Sequence, residues 1–352
     1  MAVADDSPFI RKAVERILRD QESITVVGTA ASGEELLARL PAWRPDVVTL
    51  DLAMPGMGGM ATLDQIMASR PLPVIILSDF SRAGAAITLE ALHRGAVDFI
   101  DKRQYSLVDF SSLGVVLAEK VRQVAGSRVT VPAADAAPPS TAAVAEAPEP
   151  ERAIRAVLIG ASTGGPVAIE RVLTDLGAPV PVPVVVVQHM PSGFTRAFAE
   201  RLNAHLAMPV REAGDREVLL PGTVYIAPAG RHLRLEESSG RLTARLSDEP
   251  AGAAHRPSVD VLFDSACDAL GRRAAALVLT GMGSDGARGL ARLASAGAWT
   301  AVQDRASCVV FGMPRAALAA GAAAEELPLV RLGARLRRVL EAEPTGAGAA
   351  EP

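Results

Sequence analysis

Aromatic side chains are scarce: they make up 3% of the 352 residues, with only 2 tryptophans and 2 tyrosines. Any core must therefore be packed mainly from Ala, Val and Leu, and a hydrophobic content of 49% supplies them. Cysteine is scarcer still. Cys267 and Cys308 form neither a CxxC pair nor a Cys/His ligand pattern, which excludes a disulfide framework and a zinc site and fits a reducing compartment. Cations are not in excess: 36 Lys and Arg stand against 40 Asp and Glu, for a net charge of −4. A chain without surplus cations has little with which to displace counterions, so nucleic acid is not expected as its partner. No apolar run approaches the length of a bilayer span, so no membrane insertion is expected. The opening MAVADDSPF lacks the basic-then-apolar layout of a signal peptide. A soluble cytoplasmic protein, monomeric, with a protein or small-molecule substrate is the expectation.

What is present divides the chain. From Ala125 to Arg152 the sequence is almost entirely Ala, Pro, acids and a few valines, including VPAADAAPPSTAAVAEAPEPE. Such a composition buries too little to order itself and reads as an extended linker. The expected domains are residues 1–124 and 153–342, joined by a linker at 125–152 and followed by a loose tail at 343–352. Both domains alternate short apolar strands with amphipathic helices, the pattern of a parallel sheet covered on both faces. In the first, strands are predicted at Val26-Val27, Asp46–Leu50, Val74–Leu77 and Asp98–Ile100, with helices at Pro8–Arg19, Gly33–Leu40 and Gly84–Arg94. In the second, Arg155–Gly160, Val182–Gln188 and Ala275–Thr280 read as buried parallel strands. PGTVYIAP, RHLRLEE and RLTARLS read as antiparallel strands turning at Gly230 and Gly240.

Open α/β sheets place their ligands beyond the carboxyl ends of the strands. In the first domain the residues at those ends are Asp5 and Asp6, then Asp51, Ser78 and Lys102. Each acid alone reads as a helix cap, and Asp6-Ser7-Pro8 is a good one. Carboxylates crowded at one edge repel unless a hard cation joins them, which points to an oxygen-ligated Mg²⁺. A carboxylate beside that ion can act as a nucleophile and become an aspartyl phosphate, with Ser78 and Lys102 binding the phosphoryl oxygens. The motifs DDS, VVTLDLAMPGMGG, ILSD and GAVDFIDK resemble the receiver domain of two-component response regulators. The resemblance covers residues 1–124 and implies a flavodoxin-like, doubly wound parallel sheet. It implies phosphorylation of Asp51 by a histidine kinase, Mg²⁺ ligation by Asp6, Asp51 and the Ala53 carbonyl with Asp5 nearby, and switch roles for Ser78 and Lys102. Gly58 stands where that family usually has aspartate, and Arg103 where it usually has proline.

The second domain opens with a strand running into GASTGGP, residues 160–166. Glycines at a helix N-terminus suit a phosphate, but neither the GxGxxG spacing nor a GK[ST] ending is present. The stretch does match G-x-S-x-G, a sharp turn that projects a serine, although a helix-capping serine would look the same. A nucleophile needs a base and a group to orient it. His189 closes the next apolar strand, and Asp285 follows Ala275–Thr280, so Ser162, His189 and Asp285 all fall at strand carboxyl ends. His232 and His255, flanked by arginines, suit a surface or substrate-contact role. His205 and His93 sit in helical patterns and are expected to be exposed. The order Ser, His, Asp matches none of the three familiar hydrolase orders. Gly281-Met282-Gly283 adds a second glycine turn with backbone N–H groups, and Thr163, Met282 and Gly283 are candidates for oxyanion or substrate contact.

GASTGGP, VVVQHMPSGFT, GTVYIAPAGRHL, HRPSVDVLF, TGMGSDGA and VVFGMP together resemble the catalytic domain of the chemotaxis protein-glutamate methylesterase (CheB) family, from Arg155 to Leu340. This implies a mostly parallel α/β esterase domain with Ser162 as nucleophile, His189 as base and Asp285 as orienting acid. It implies demethylation of glutamyl methyl esters on chemoreceptor cytoplasmic domains, deamidation of receptor glutamines, and no cofactor for ester hydrolysis. Two other readings stand beside it: a response regulator with a non-catalytic protein-binding output domain, and a lipase-like esterase for small molecules.

Overall fold

The computed structural model describes residues 1–19, 21–78, 82–102, 110–127, 154–322 and 325–342. The expected linker, apart from its first residues, and the expected tail lie outside the described residues, as does Arg103. The chain divides into two compact units, each with its own central sheet.

The first unit runs β1 (Ala2–Ala4), α1 (Pro8–Arg19), β2 (Gly28–Ala30), α2 (Gly33–Trp43), β3 (Val48–Asp51), α3 (Gly58–Ser69), β4 (Val74–Ser78), α4 (Arg82–His93), β5 (Asp98–Asp101) and α5 (Phe110–Val124). All pairings are parallel, in the order β2-β1-β3-β4-β5. The order reverses beside β1, so the crevice between the ends of β1 and β3 is the topological switch point. Although only 3 residues long, β1 is wholly buried, because strands lie on both its edges and helices cover both its faces. The predicted strand at Val26-Val27 is corrected to Gly28–Ala30. Its register, Ala2 opposite Gly28, is fixed by the partner strand, and Val27 is left half-exposed outside it.

The second unit begins with β6 (Ala156–Ala161), α6 (Gly165–Leu176), β7 (Val184–Gln188), α7 (Phe194–His205), β8 (Val210–Glu212), β9 (Glu217–Val218) and β10 (Val224–Ile226). It continues through β11 (His232–Ser238), β12 (Arg241–Ser247), α8 (Val259–Leu270), β13 (Ala274–Val278), α9 (Ala287–Ser295), β14 (Trp299–Gln303), α10 (Met313–Ala319), β15 (Glu325–Leu327) and α11 (Leu329–Glu341). Seven strands form a parallel sheet in the order β15-β14-β13-β6-β7-β10-β8. β6 lies at its centre, and the chain winds outward from it in both directions.

The expectation that PGTVYIAP, RHLRLEE and RLTARLS form antiparallel strands is right for the last two and corrected for the first. β11 and β12 pair antiparallel across the Gly240 turn, with β9 added on the far side. Val224–Ile226 instead joins the main sheet in parallel, between β7 and β8. Its side chains are buried on both faces, which is what a strand inside a parallel sheet requires. The aliphatic core is as the composition demands, with the few large rings (Phe194, Phe198, Tyr225 and Phe263) fully buried in this unit. No helix among the described residues is long and apolar enough to cross a membrane.

Candidate active site

Ser162 directly follows β6, and His189 directly follows β7. These strands are paired to their last residues, Ala161 opposite Gln188, and His189 N–H donates to Ala161 O at 3.1 Å. On the other edge of β6, Ser162 N–H donates to Thr280 O at 3.1 Å, just past the end of β13. The turn carrying Asp285 follows. The sheet thus brings together the three residues picked from sequence, and they converge because β6 is flanked by β7 and β13.

Close packing shapes the serine turn. Gly164 has φ +76°, left-handed, and a Cβ there would come within 2.7 Å of Val309. A Cβ on Gly281 would lie 2.9 Å from Ser162 Cβ and 2.3 Å from Met313 Sδ, so the second glycine turn rests against Ser162. Gly281 itself is tied down: its N–H donates to Val310 O, and its O accepts from Gly312 and Met313 N–H. The candidates Met282 and Gly283 follow it directly. Thr163 is buried, and its O accepts from Thr280 Oγ1 at 3.0 Å.

His189 Nε2 lies 2.8 Å from Asp285 Oδ2. Asp285 accepts three further hydrogen bonds: Ser258 Oγ at 2.8 Å and Asp260 N at 3.0 Å on Oδ1, and Val259 N at 2.7 Å on Oδ2. These donors form the N-terminus of α8, whose unsatisfied N–H groups and dipole favour an anion. Burial opposes the charged carboxyl, but the His189 hydrogen bond and charge and the backbone donors of Asp260 and Val259 outweigh it. They hold Asp285 well below the usual carboxylate range.

An ionised carboxylate can only accept, so in the neutral ring the imidazole proton sits on Nε2 and Nδ1 carries the lone pair. Nδ1 is buried and has no hydrogen-bond partner among the described residues, and no hydrogen bond joins it to Ser162 Oγ. Contacts of this kind commonly tighten only when substrate binds. Toward its carboxylate the ring is turned the opposite way from that of the trypsin-type triad, where Nδ1 faces the acid.

Other participants went unmarked in the sequence. Gln188 Nε2 donates to both Ser162 O (2.9 Å) and His189 O (3.1 Å), linking the two turns. A buried glutamine ending an all-valine strand was the available signal. Ser258 caps α8, accepting from Val261 N–H while donating to Asp285. Its place after proline and before an apolar run with an early acid is a helix-start pattern.

His255 is exposed and stacks on the His189 ring at 4.0 Å between centroids, compatible with substrate contact. His232 is corrected: it is fully buried, not at the surface, because the segment from Pro250 to Ser258 closes over it, with Pro250 O and Ser258 N at its two ring nitrogens. His205 is exposed as expected and lies beside Glu170, whereas His93 is half-buried.

In the first unit Asp5 and Asp51 are buried and Asp6 is exposed, with carboxylate oxygens of all three within 4.8 Å of one another. Lys102 Nζ bridges Asp5 Oδ2 at 2.7 Å and Asp51 Oδ2 at 2.9 Å. Burial works against the Lys102 charge, but these two hydrogen bonds prevail and hold it above its ordinary value. Burial pushes Asp5 up, against the pull of Lys102. Ala53 N–H donates to Asp51 Oδ1 at 3.2 Å. Ser7 rather than Asp6 caps α1, accepting from Ile10 N–H. Arg11, not singled out from sequence, binds the carbonyls of Asp5 and Asp6 at 2.6 and 2.9 Å and fixes the acidic loop. One ammonium against three carboxylates leaves an excess of negative oxygen donors, a set that fits a hard divalent cation. Ser78 closes β4, and its side chain lies outside the described residues.

Fold and site agree with two family matches: "Response regulator receiver domain" over residues 1–108 and "CheB methylesterase" over residues 157–336. The class is thus a response regulator whose second unit is a methylesterase-type α/β domain. A protein-glutamate methylesterase/protein-glutamine glutaminase of Xanthomonas campestris pv. campestris is 44% identical over 343 residues, covering 95% of each chain. A Geobacillus kaustophilus protein of the same name is 44% identical over 346 residues, covering 96% of this chain and 97% of its own. The Thermotoga maritima CheB methylesterase catalytic domain matches with a TM-score of 0.52 and 37% identity, over 53% of this chain and all of its own. The chain belongs to the protein-glutamate methylesterase/protein-glutamine glutaminase family.

Proposed function

We propose that this chain hydrolyses glutamyl methyl esters on the cytoplasmic domains of chemoreceptors, releasing methanol. Deamidation of receptor glutamines would follow the same course with ammonia as leaving group. The carrying observation is His189, held at Nε2 by an ionised Asp285, with a buried and unpartnered Nδ1 at the strand end adjacent to Ser162.

In this reading Ser162 Oγ attacks the ester carbonyl carbon while His189 Nδ1 takes the hydroxyl proton. The N–H groups of Thr163, Met282 and Gly283 stabilise the oxyanion, a contribution of ~3–4 kcal/mol to such barriers. The C–O bond to the methoxy group breaks, and His189 returns its proton to release methanol. Water, deprotonated by the same ring, then cleaves the acyl-serine to a glutamate carboxylate and free Ser162. These steps draw only on side chains, backbone and water.

The first unit is the control element. Asp51 would accept a phosphoryl group from a chemotaxis-type histidine kinase in the cytoplasm. Asp5, Asp6, Asp51 and the Ala53 carbonyl would hold Mg²⁺, which when bound neutralises phosphoryl charge. Lys102 and Ser78 would bind the phosphoryl oxygens and carry the change of state.

The test is methanol release from a methylated receptor. Ser162→Ala should lose several orders of magnitude in kcat and all labelling by a fluorophosphonate, with an unchanged circular dichroism spectrum. Near-normal release from that variant would overturn the assignment. A non-catalytic output domain would give neither release nor label in the unaltered protein.

A further inference from the structure

We propose that His232 is a positioning residue for the catalytic pocket, acting on Asp285 through the Ser258 turn and on His255 through the segment that carries it. The proposal rests on the esterase reading above. His232 opens β11 and is fully buried. Its Nε2 lies 3.3 Å from Pro250 O, and its Nδ1 lies 3.2 Å from Ser258 N. A carbonyl oxygen only accepts and a backbone N–H only donates, so both contacts are satisfied by one form alone: the neutral ring with its proton on Nε2. Burial favours that form. One side chain therefore grips both ends of the segment 250–258.

That segment serves the site twice. At its end Ser258 donates from Oγ to Asp285 Oδ1 while Oγ accepts from Val261 N–H, so the hydroxyl proton has one direction left, toward Asp285. The next two N–H groups, of Val259 and Asp260, also point at Asp285. Within the segment, His255 lies flat against the His189 ring. A shift of the Ser258 end would misdirect three of the four donors on Asp285 and the ring covering the base. Displacements of about 1 Å in such supports cost catalysis up to ~100-fold.

The experiment compares His232→Phe, which keeps bulk and loses both hydrogen bonds, with His232→Asn, whose Oδ1 can replace Nδ1 as acceptor for Ser258 N–H. Ser258→Ala tests the relay itself. Each full-length variant is assayed for kcat and KM by methanol release. Each is also examined by proton NMR for the far-downfield resonance of the His189–Asp285 hydrogen bond. We expect His232→Phe to lower kcat ~10- to 100-fold with little change in KM and to shift or broaden that resonance. His232→Asn should restore much of both. Adding Ser258→Ala to His232→Phe should cost less than the sum of the single changes.

A folded His232→Phe protein with unaltered kcat and resonance would overturn the proposal. So would His232→Asn losing as much as His232→Phe, since restoring the acceptor for Ser258 N–H would then make no difference. If His232→Phe does not fold, His232→Asn and Ser258→Ala still decide it: an unmoved resonance in Ser258→Ala refutes the relay. Failure of the esterase reading looks different, because the unaltered protein would then release no methanol while the resonance still reported on His232.

Discussion

Asp285 accepts four hydrogen bonds, and only one comes from His189. The other three bind it to the start of α8, so it is a counterion for a helix as well as a partner of His189. Its carboxyl is held below its ordinary range in the folded protein. The folded state therefore resists protonation while the unfolded chain takes a proton near pH ~4. The stability gained from Asp285 is full above that pH and falls away as pH drops toward the folded value. Asp285→Asn should lower the urea midpoint at pH 7. The gap to the unaltered protein should stay constant down to pH ~5 and narrow below ~4. A gap that widens on acidification would contradict the geometry. The grouping of Ser162, His189 and Asp285 at one sheet edge was legible, because each follows an apolar run. Ser258, Gln188 and His232 were not, because their roles depend on which backbone atoms lie opposite them, and spacing along the chain carries no record of that.

At the level of elements, runs buried on both faces were legible as strands, but their partners were not. Val224–Ile226 looked like the first strand of a meander because turn residues follow it, yet the meander starts one strand later. β14 and β15 went unmarked, and β15 shows why. It is 3 residues long with two glutamates, a poor strand by composition. It is held at the sheet edge by side-chain chemistry: Arg335 of α11 makes a bidentate contact with buried Glu325 at 2.8–3.1 Å, and Trp299 Nε1 donates to the same carboxylate at 2.9 Å. Arg335→Leu strands that buried charge and should destabilise the second unit by about 3–5 kcal/mol. Replacing Glu325 and Arg335 together by apolar residues of similar volume should cost far less. Urea unfolding of the single and double variants checks this; equal losses would mean that the pair matters only as packing.

For the whole molecule, each unit has its own parallel sheet and its own core, so each has what it needs to fold by itself. A fragment beginning at Glu151 should fold and release methanol without any phosphodonor. In the intact chain, Asp51→Asn should keep basal activity but lose stimulation by acetyl phosphate and Mg²⁺. If the first unit restrains the second, the fragment will also outrun the unphosphorylated intact protein. Equal rates would mean that phosphorylation works by another route, such as recruitment of the receptor.

The orientation of the His189 ring has a chemical consequence for reagents aimed at this family. With Nε2 committed to Asp285, the only ring nitrogen with a lone pair to offer an electrophile is Nδ1. A halomethyl ketone that bridged Ser162 and His189 would have to form its carbon–nitrogen bond there. Affinity labels shaped for trypsin-type enzymes, whose reactive nitrogen is Nε2, carry their warhead along the wrong vector for this pocket. On the esterase reading proposed above, the regiochemistry of alkylation alone would then separate this site from trypsin-type ones.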